Sequence, residues 1–233
     1  MITVSKEDYL KAILEAEGEG ELVIAARLAH WLDVSAPAVT MALRRLKRDG
    51  LVTVRRDGHV VLTIAGRKIA RQLAIRHHLI ERMLHEIFGM AWYQTHDEAE
   101  RLEHAVSSDF EAMLFRKLGR SGTCPHGNSP IPEPARAKKK RGLVLLSEAE
   151  PGNLYSVESV YERDRKLLEF LEAKSIRPGT QVKVEARNYD GTISLAIEHK
   201  RVELGGPAAE KIWVSGGAAP KGARDSNRPL TPP

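Results

Sequence analysis

The amino-acid sequence predicts a mostly α protein that opens with a winged helix–turn–helix and closes with a small β-rich domain. Three observations carry this. Residues 5–50 place apolar side chains at helical spacing in three short blocks, separated by capping residues and glycines. "LVTVRRDGHVVLT" follows at once, two strand-like runs around Asp57-Gly58, the dipeptide most typical of a tight hairpin. Beyond residue 142 the pattern changes from helical to alternating.

The first helix is expected in "VSKEDYLKAILEAEGEGE", with Ser5 as its cap three residues ahead of Asp8, and Leu10, Ile13 and Leu14 on one face. Gly18 and Gly20 end it. "LVIAARLAHWLDV" and "SAPAVTMALRRLKRDG" give two more amphipathic helices joined by a very short turn; Ser35 is the natural N-cap, Pro37 fits the first turn and Gly50 stops the helix. Three helices and a hairpin in this order form a winged helix–turn–helix, whose third helix reads DNA. Ser35, Pro37, Ala38, Thr40 and Met41 then lie at its reading end, where small side chains permit close approach and hydroxyls bond phosphates or base edges. Arg44 and Arg45 add charge along the helix, and Arg55 and Arg56 sit at the wing tip. The local excess of positive charge is modest, so topology carries more weight here than charge.

From Ile64 to Leu118 the pattern is helical in three pieces, broken near "FGMAWYQT" and after "EHAVSS". "GRSGTCPHGNSPIPEPARAKKKRG" lacks periodicity and reads as a linker. "LYSVESVY", "TQVKVEARN" and "TISLAIEHKRVEL" alternate as strands, Asp190-Gly191 marks a second hairpin, and "DRKLLEFLEAKSI" is one amphipathic helix. The expected organisation is a DNA-binding unit over 1–63, a helical unit over 64–120, a linker over 121–141, a β-rich domain over 142–214 and a polar, Gly- and Pro-rich tail over 215–233.

With 42% hydrophobic residues the 233-residue chain can bury a real core, and its net charge of +5 permits a polyanion partner without requiring one. Cys124, the single cysteine, excludes an internal disulfide and suits a reducing cytosol. No run approaches the roughly 18 uncharged apolar residues of a membrane span, and the N-terminus has no apolar signal core. These features predict a soluble, cytoplasmic protein with no membrane partner.

"HDEAERLEH", residues 96–104, packs two histidines and four carboxylates into nine positions. At roughly 100° per residue, His96, Glu100, Glu103 and His104 share one helical arc beside the apolar stripe of Ala99, Leu102 and Val106. A second segment places His77 and Glu81 four apart, with His85 on the same face. Two helices presenting imidazoles and carboxylates inward suit a divalent first-row ion, and mixed oxygen and nitrogen ligation suits manganese or iron. Cys124 and His126, two apart in "CPHG", are a weak metal signal by themselves. The rival reading is a metal-dependent hydrolase or oxidase with an accessory winged domain. "HEIFG" misses H-E-x-x-H because Gly89 holds the second histidine position, and no phosphate loop or nucleophile elbow is present.

"EDYLKAI", "APAVTMALRRLKRDGLV", "LTIAGRKIA", "RHHLIERML", "HDEAERLEH" and "CPHGNSPIP" together resemble the diphtheria toxin repressor family over residues 1–214, closest to its manganese transport regulators with a C-terminal SH3-like domain. The resemblance implies a helical metal-binding and dimerisation domain and an SH3-like β-barrel. It further implies a homodimeric repressor of metal homeostasis that binds palindromic double-stranded operator DNA when loaded with Mn²⁺ or Fe²⁺, with Co²⁺ or Zn²⁺ as surrogates. Its primary site would map to Asp8, His77, Glu100, Glu103 and His104. Iron-responsive members carry methionine and cysteine in place of Asp8 and Glu100, so the two carboxylates favour manganese. An ancillary site would draw on Glu81, Cys124, His126 and, from the C-terminal domain, Asp164; His96 matches an ancillary ligand of the iron branch. Lys11 stands where short manganese regulators carry a second acidic ligand, which moves any second ion toward Cys124 and His126.

Overall fold

The computed structural model describes residues 4–20, 22–119 and 122–216. Helices α1 (Val4–Gly18), α2 (Ala25–Trp31) and α3 (Ala36–Arg48) enclose a core of Leu10, Ile13, Leu28, Val39, Leu43 and Leu46. Ser5 lies inside the first turn of α1, so it is not the cap the sequence led us to expect. Ser35 does cap α3, its hydroxyl accepting from the Ala38 N–H at 3.4 Å. The α2–α3 turn closes with Asp33 at φ 49°, and the Val34 N–H reaches back to the Ala29 carbonyl.

The wing is the antiparallel pair β1 (Val52–Val54) and β2 (Val60–Leu62). Its turn is set by Asp57, whose carboxylate accepts from the His59 N–H at 3.0 Å, and by Gly58 at φ 82°. Thr63 then ends the wing and caps α4 (Ile64–Arg82), accepting from the Gly66 N–H while donating to the Gly50 carbonyl. Gly66 packs so close that a Cβ there would lie 2.0 Å from the Leu51 carbonyl oxygen. Helix propensity favours alanine over glycine by roughly 1 kcal/mol, but overpacking against backbone costs about 1–3 kcal/mol. Gly66→Ala is therefore expected to lower stability in urea unfolding; a midpoint unchanged or raised would show that the wing–α4 junction yields freely.

α4 runs into a π-helical turn, Met83–Ile87. A 3₁₀ turn at Trp92–Gln94 leads into α5 (Thr95–Leu102), followed by α6 (Ser108–Leu118). Leu79, Ile80, Leu84, Ala99 and Leu114 form their shared core.

The segment expected as a featureless linker contains a short helix, α7 (Ala135–Lys140), started by Pro134. After it come β3 (Leu143–Leu145), β4 (Leu154–Val160), α8 (Arg165–Ala173), β5 (Gln181–Arg187), β6 (Ile193–Ile197), β7 (Lys200–Leu204), α9 (Gly206–Ala209) and β8 (Ile212–Gly216). The strands pair antiparallel in the order β3-β8-β4-β5-β6-β7, over a core including Val157, Leu168, Leu171, Val184, Leu195 and Val214. "TISLAIEHKRVEL", read as one strand, is a tight hairpin of β6 and β7 whose turn is made by Glu198 at φ 53° without a glycine. β8 carries the domain to Gly216, and the tail expected over 215–233 lies outside the described residues from 217 onward.

Two features bind this domain to the helices. Trp92 is buried in the β-domain core, and its indole N–H donates to Glu172 at 2.5 Å. Gly127, at φ 81°, leaves no room for a Cβ against the Glu158 carbonyl, and the Val160 N–H donates to the His126 carbonyl at 2.9 Å. The "CPHG" loop is thus fixed to the end of β4. Among the described residues, no helix is long and apolar enough to cross a membrane.

Candidate metal centre

α1 supplies Asp8, and the chain just beyond α5 supplies Glu103 and His104. Asp8 Oδ1 lies 2.8 Å from His104 Nε2, and Glu103 Oε1 lies 3.6 Å from that same nitrogen. One ligand atom from each of the three falls within 4.8 Å of the others. On its far side, His104 Nδ1 meets the Glu7 carboxylate at 2.8 Å, which orients the ring. The sequence reading did not find Glu7; an acidic residue in a first helical turn is too common to stand out. Glu100 is at the rim, with 53% of its side chain exposed, 3.6 Å from His96 Nε2.

A second group forms deeper between α4, α5 and the C-terminal domain. His77, Glu81, His96 and Glu162 offer atoms within 4.8 Å of one another, and so do Glu81, Cys124, His126 and Glu162. Glu81 joins both sets, at 3.3 Å from His77 Nε2, His96 Nδ1 and His126 Nδ1 alike. Cys124 Sγ lies 3.6 Å from His126 Nδ1 and 3.5 Å from Glu162, which also accepts from Asn128 at 2.6 Å.

The acidic residue that the C-terminal domain brings here is Glu162, not Asp164. Asp164 caps α8 through the Leu167 N–H at 3.0 Å and pairs with Lys211 at 3.0 Å, so the needs of the helix terminus take it. His85 is also absent from the group. The π-helical turn adds a residue to that part of the helix and swings the exposed His85 ring to the Met90 carbonyl at 2.9 Å. Lys11, by contrast, is buried among these side chains. Its ammonium donates to both Glu103 oxygens at 2.7 and 3.0 Å and lies 2.9 Å from His77 Nδ1.

Electrostatics follow from these neighbours. Burial and the Lys11 charge oppose protonation of His77, yet Glu81 and Glu103 outweigh them and raise it to about 9. Burial opposes ionisation of Glu81, but His77 and His126 hold its carboxyl well below the usual range. Burial, with Glu81 and Glu162, pushes the Cys124 thiol well up. Burial also raises Asp8 despite the nearby His104. The Nε2 atoms of His96 and His126 are buried without a hydrogen-bond partner among the described residues. Imidazole, carboxylate and one thiol converging in this way fit a divalent transition metal.

The residues expected to read DNA lie on α3 and the wing, and Ala38, Met41 and Arg45 line one cavity with Asp8, Glu100, Glu103 and His104. Ser35, Pro37, Ala38, Thr40, Met41, Arg44 and Arg45 are all exposed along one end of α3, and Arg55 and Arg56 are exposed at the wing tip. Thr40 and Ser35 both have intrahelical partners, the former donating to the Ala36 carbonyl at 3.0 Å.

Comparison with known proteins matches every part of this layout. Residues 1–60 match the iron dependent repressor N-terminal DNA binding domain, residues 63–133 its metal binding and dimerisation domain, and residues 144–216 the FeoA domain. The iron-dependent repressor IdeR of Mycobacterium tuberculosis is 34% identical over 221 residues, 89% of this chain and 95% of that protein. The chain belongs to the diphtheria toxin repressor family of iron-dependent repressors. The diphtheria toxin repressor of Corynebacterium diphtheriae is 32% identical over 222 residues, again 89% of this chain and 95% of that one. A solved manganese-dependent transcriptional repressor in complex with manganese has a TM-score of 0.80 at 33% identity, covering 91% of this chain and 99% of its own. The manganese regulator SloR has a TM-score of 0.74 at 26% identity, covering 93% and 100%. This repressor is a metal-dependent DNA-binding regulator, and the hydrolase or oxidase reading of its carboxylates falls away.

Proposed function

We propose that the repressor senses manganese at two centres and, as a homodimer, grips a palindromic operator only when they are loaded. The primary centre is Asp8, Glu100, Glu103 and His104, with His77 behind them; the ancillary centre is Glu81, Cys124, His126 and Glu162, bordered by His96. The observation that carries this is the bridge from Asp8 to His104 and Glu103, because it joins the DNA-binding unit to the helical domain. When bound, a divalent cation supplies the positive charge that lets the carboxylates of the two domains close on one another.

The chain's own residues turn that tie into a DNA signal. α1 shares its core with α3, so holding Asp8 to His104 fixes the recognition helix against the helices of the dimerisation domain. Paired half-sites are read only when the two recognition helices have the matching separation. Asp8, Glu100 and Glu103 provide hard oxygen donors, which supports manganese at the primary centre, with the thiol confined to the ancillary one.

Titrating binding of a duplex, selected by the manganese-loaded protein from a random library, tests this under reducing conditions with Mn²⁺, Fe²⁺, Co²⁺ and Zn²⁺. Binding is expected to appear with Mn²⁺ and to vanish with chelator; binding indifferent to chelator overturns the proposal. A proton signature should accompany loading. Cys124 is held as a thiol and must lose its proton to ligate, so metal and proton compete and affinity rises with pH. Calorimetry in two buffers of different ionisation enthalpy should give apparent heats that differ more for the wild type than for Cys124→Ser; an equal difference would remove Cys124 from the ligand set.

A further inference from the structure

Glu162 is followed directly by Arg163, and the two side chains serve different domains. Glu162 faces Cys124 and His126, whereas Arg163 reaches the DNA-binding unit. Its guanidinium pairs with Glu15 of α1, and the two side chains are 17% and 13% exposed. It also lies over the Trp31 ring at 4.7 Å from the centroid. Trp31 is the last residue of α2, one step before the turn that sets the entry of α3. One residue of the C-terminal domain thus holds both helices that support the recognition helix. The pairing Arg165–Asp97, another link from this domain, is far more exposed and correspondingly weak. An arginine stacked on an indole and paired with a shielded carboxylate is a directional contact that lysine reproduces poorly.

We propose that Arg163 is a positioning residue that transmits the state of the ancillary centre to the recognition helix, through Glu15 and Trp31. Fixing Glu162 in that centre fixes the next residue along the chain, and Arg163 then restrains α1 and α2. The C-terminal domain acts as a strap across the molecule, parallel to the Asp8–His104 tie. This rests on the ancillary centre proposed above.

A double-mutant cycle on the full chain with Co²⁺ separates the two ideas. Thiolate-to-cobalt charge-transfer absorption reports the ancillary centre, and hydrogen exchange of residues 25–31 reports α2. In the otherwise wild-type protein, Cys124→Ser is expected to abolish the band and reduce the cobalt-dependent slowing of α2 exchange by about tenfold. In Arg163→Ala the band should persist, while adding Cys124→Ser should change α2 exchange no further. Arg163→Lys should restore only part of the coupling. Glu15→Gln, which leaves the C-terminal domain untouched, should uncouple in the same way. An equal effect of Cys124→Ser in both backgrounds overturns the transmission role, as does loss of the band in Arg163→Ala. Absence of the band in the wild type instead overturns the ancillary centre itself.

Discussion

Glu103→Gln is expected to reduce metal-dependent operator affinity by about a hundredfold or more while leaving the dimer assembled. The side chain is buried, with both oxygens on the Lys11 ammonium and one of them 2.5 Å from His77 Nδ1. A glutamine fills the same space, so packing changes little. What changes is charge: the amide offers one neutral oxygen to a cation, and its NH₂ is a donor facing other donors. Two losses follow. A metal held as proposed loses an anionic ligand between Asp8 and His77, and Lys11 loses its main counter-charge, with Glu100 at 3.8 Å its remaining ion pair among the described residues. Breaking a buried pair from one side costs on the order of 3–5 kcal/mol, so the apoprotein should also be less stable. Lys11→Met added to Glu103→Gln separates these effects, because it removes the stranded ammonium. The double variant should regain stability without regaining operator binding, by fluorescence anisotropy with and without chelator. Ultracentrifugation checks the dimer. Operator affinity unaltered by Glu103→Gln and by chelator would sink the sensor reading.

Much of this molecule is legible in its sequence because the signals are local. Ser35, Pro37 and Gly50 delimit α3, and Asp57-Gly58 makes the wing, each through chemistry of adjacent residues. Helical spacing likewise brings out Glu100, Glu103 and His104, although the last two fall just past the end of α5. What fails is anything decided between distant segments. The choice of Glu162 over Asp164 depends on which carboxylate the α8 terminus takes, and the cap offered by Asp164 three residues before Leu167 was a readable clue. His85 leaves the ligand face because one turn is π-helical, which no residue there advertises. Lys11 changes from a missing ligand to a cation inside the site only when α1 is laid against α4. Arg163 carries no signal at all until Trp31 and Glu15 are placed beside it.

Glu81→Gln should lower the stability of the apoprotein, and that loss should depend on pH in a defined direction. Glu81 is 1% exposed and lies 3.3 Å from three imidazoles. Burial alone would keep it neutral, but His77 and His126 hold it ionised, and in return it keeps both of them protonated more readily. The direction of each group's shift fixes the pH window in which it contributes. Glu81 is depressed, so its contribution is present above the ordinary glutamate value and is lost only as pH falls through its low folded value. His77 is raised from 6.5 to about 9, so its contribution is complete below 6.5 and disappears as pH rises through about 9. Both are therefore in force near pH 6. There the wild type should exceed Glu81→Gln by on the order of 3–5 kcal/mol, the usual cost of stranding one side of a buried pair. By pH 9.5 the gap should have narrowed, since His77 is then neutral in either protein and no longer needs the carboxylate. Urea unfolding of chelator-treated protein at the two pH values measures this directly. A gap of constant size would mean that His77 faces Glu81 as a neutral imidazole throughout. Because Glu81 belongs to both overlapping ligand sets, manganese should add far less stability to the variant than to the wild type, whatever the pH.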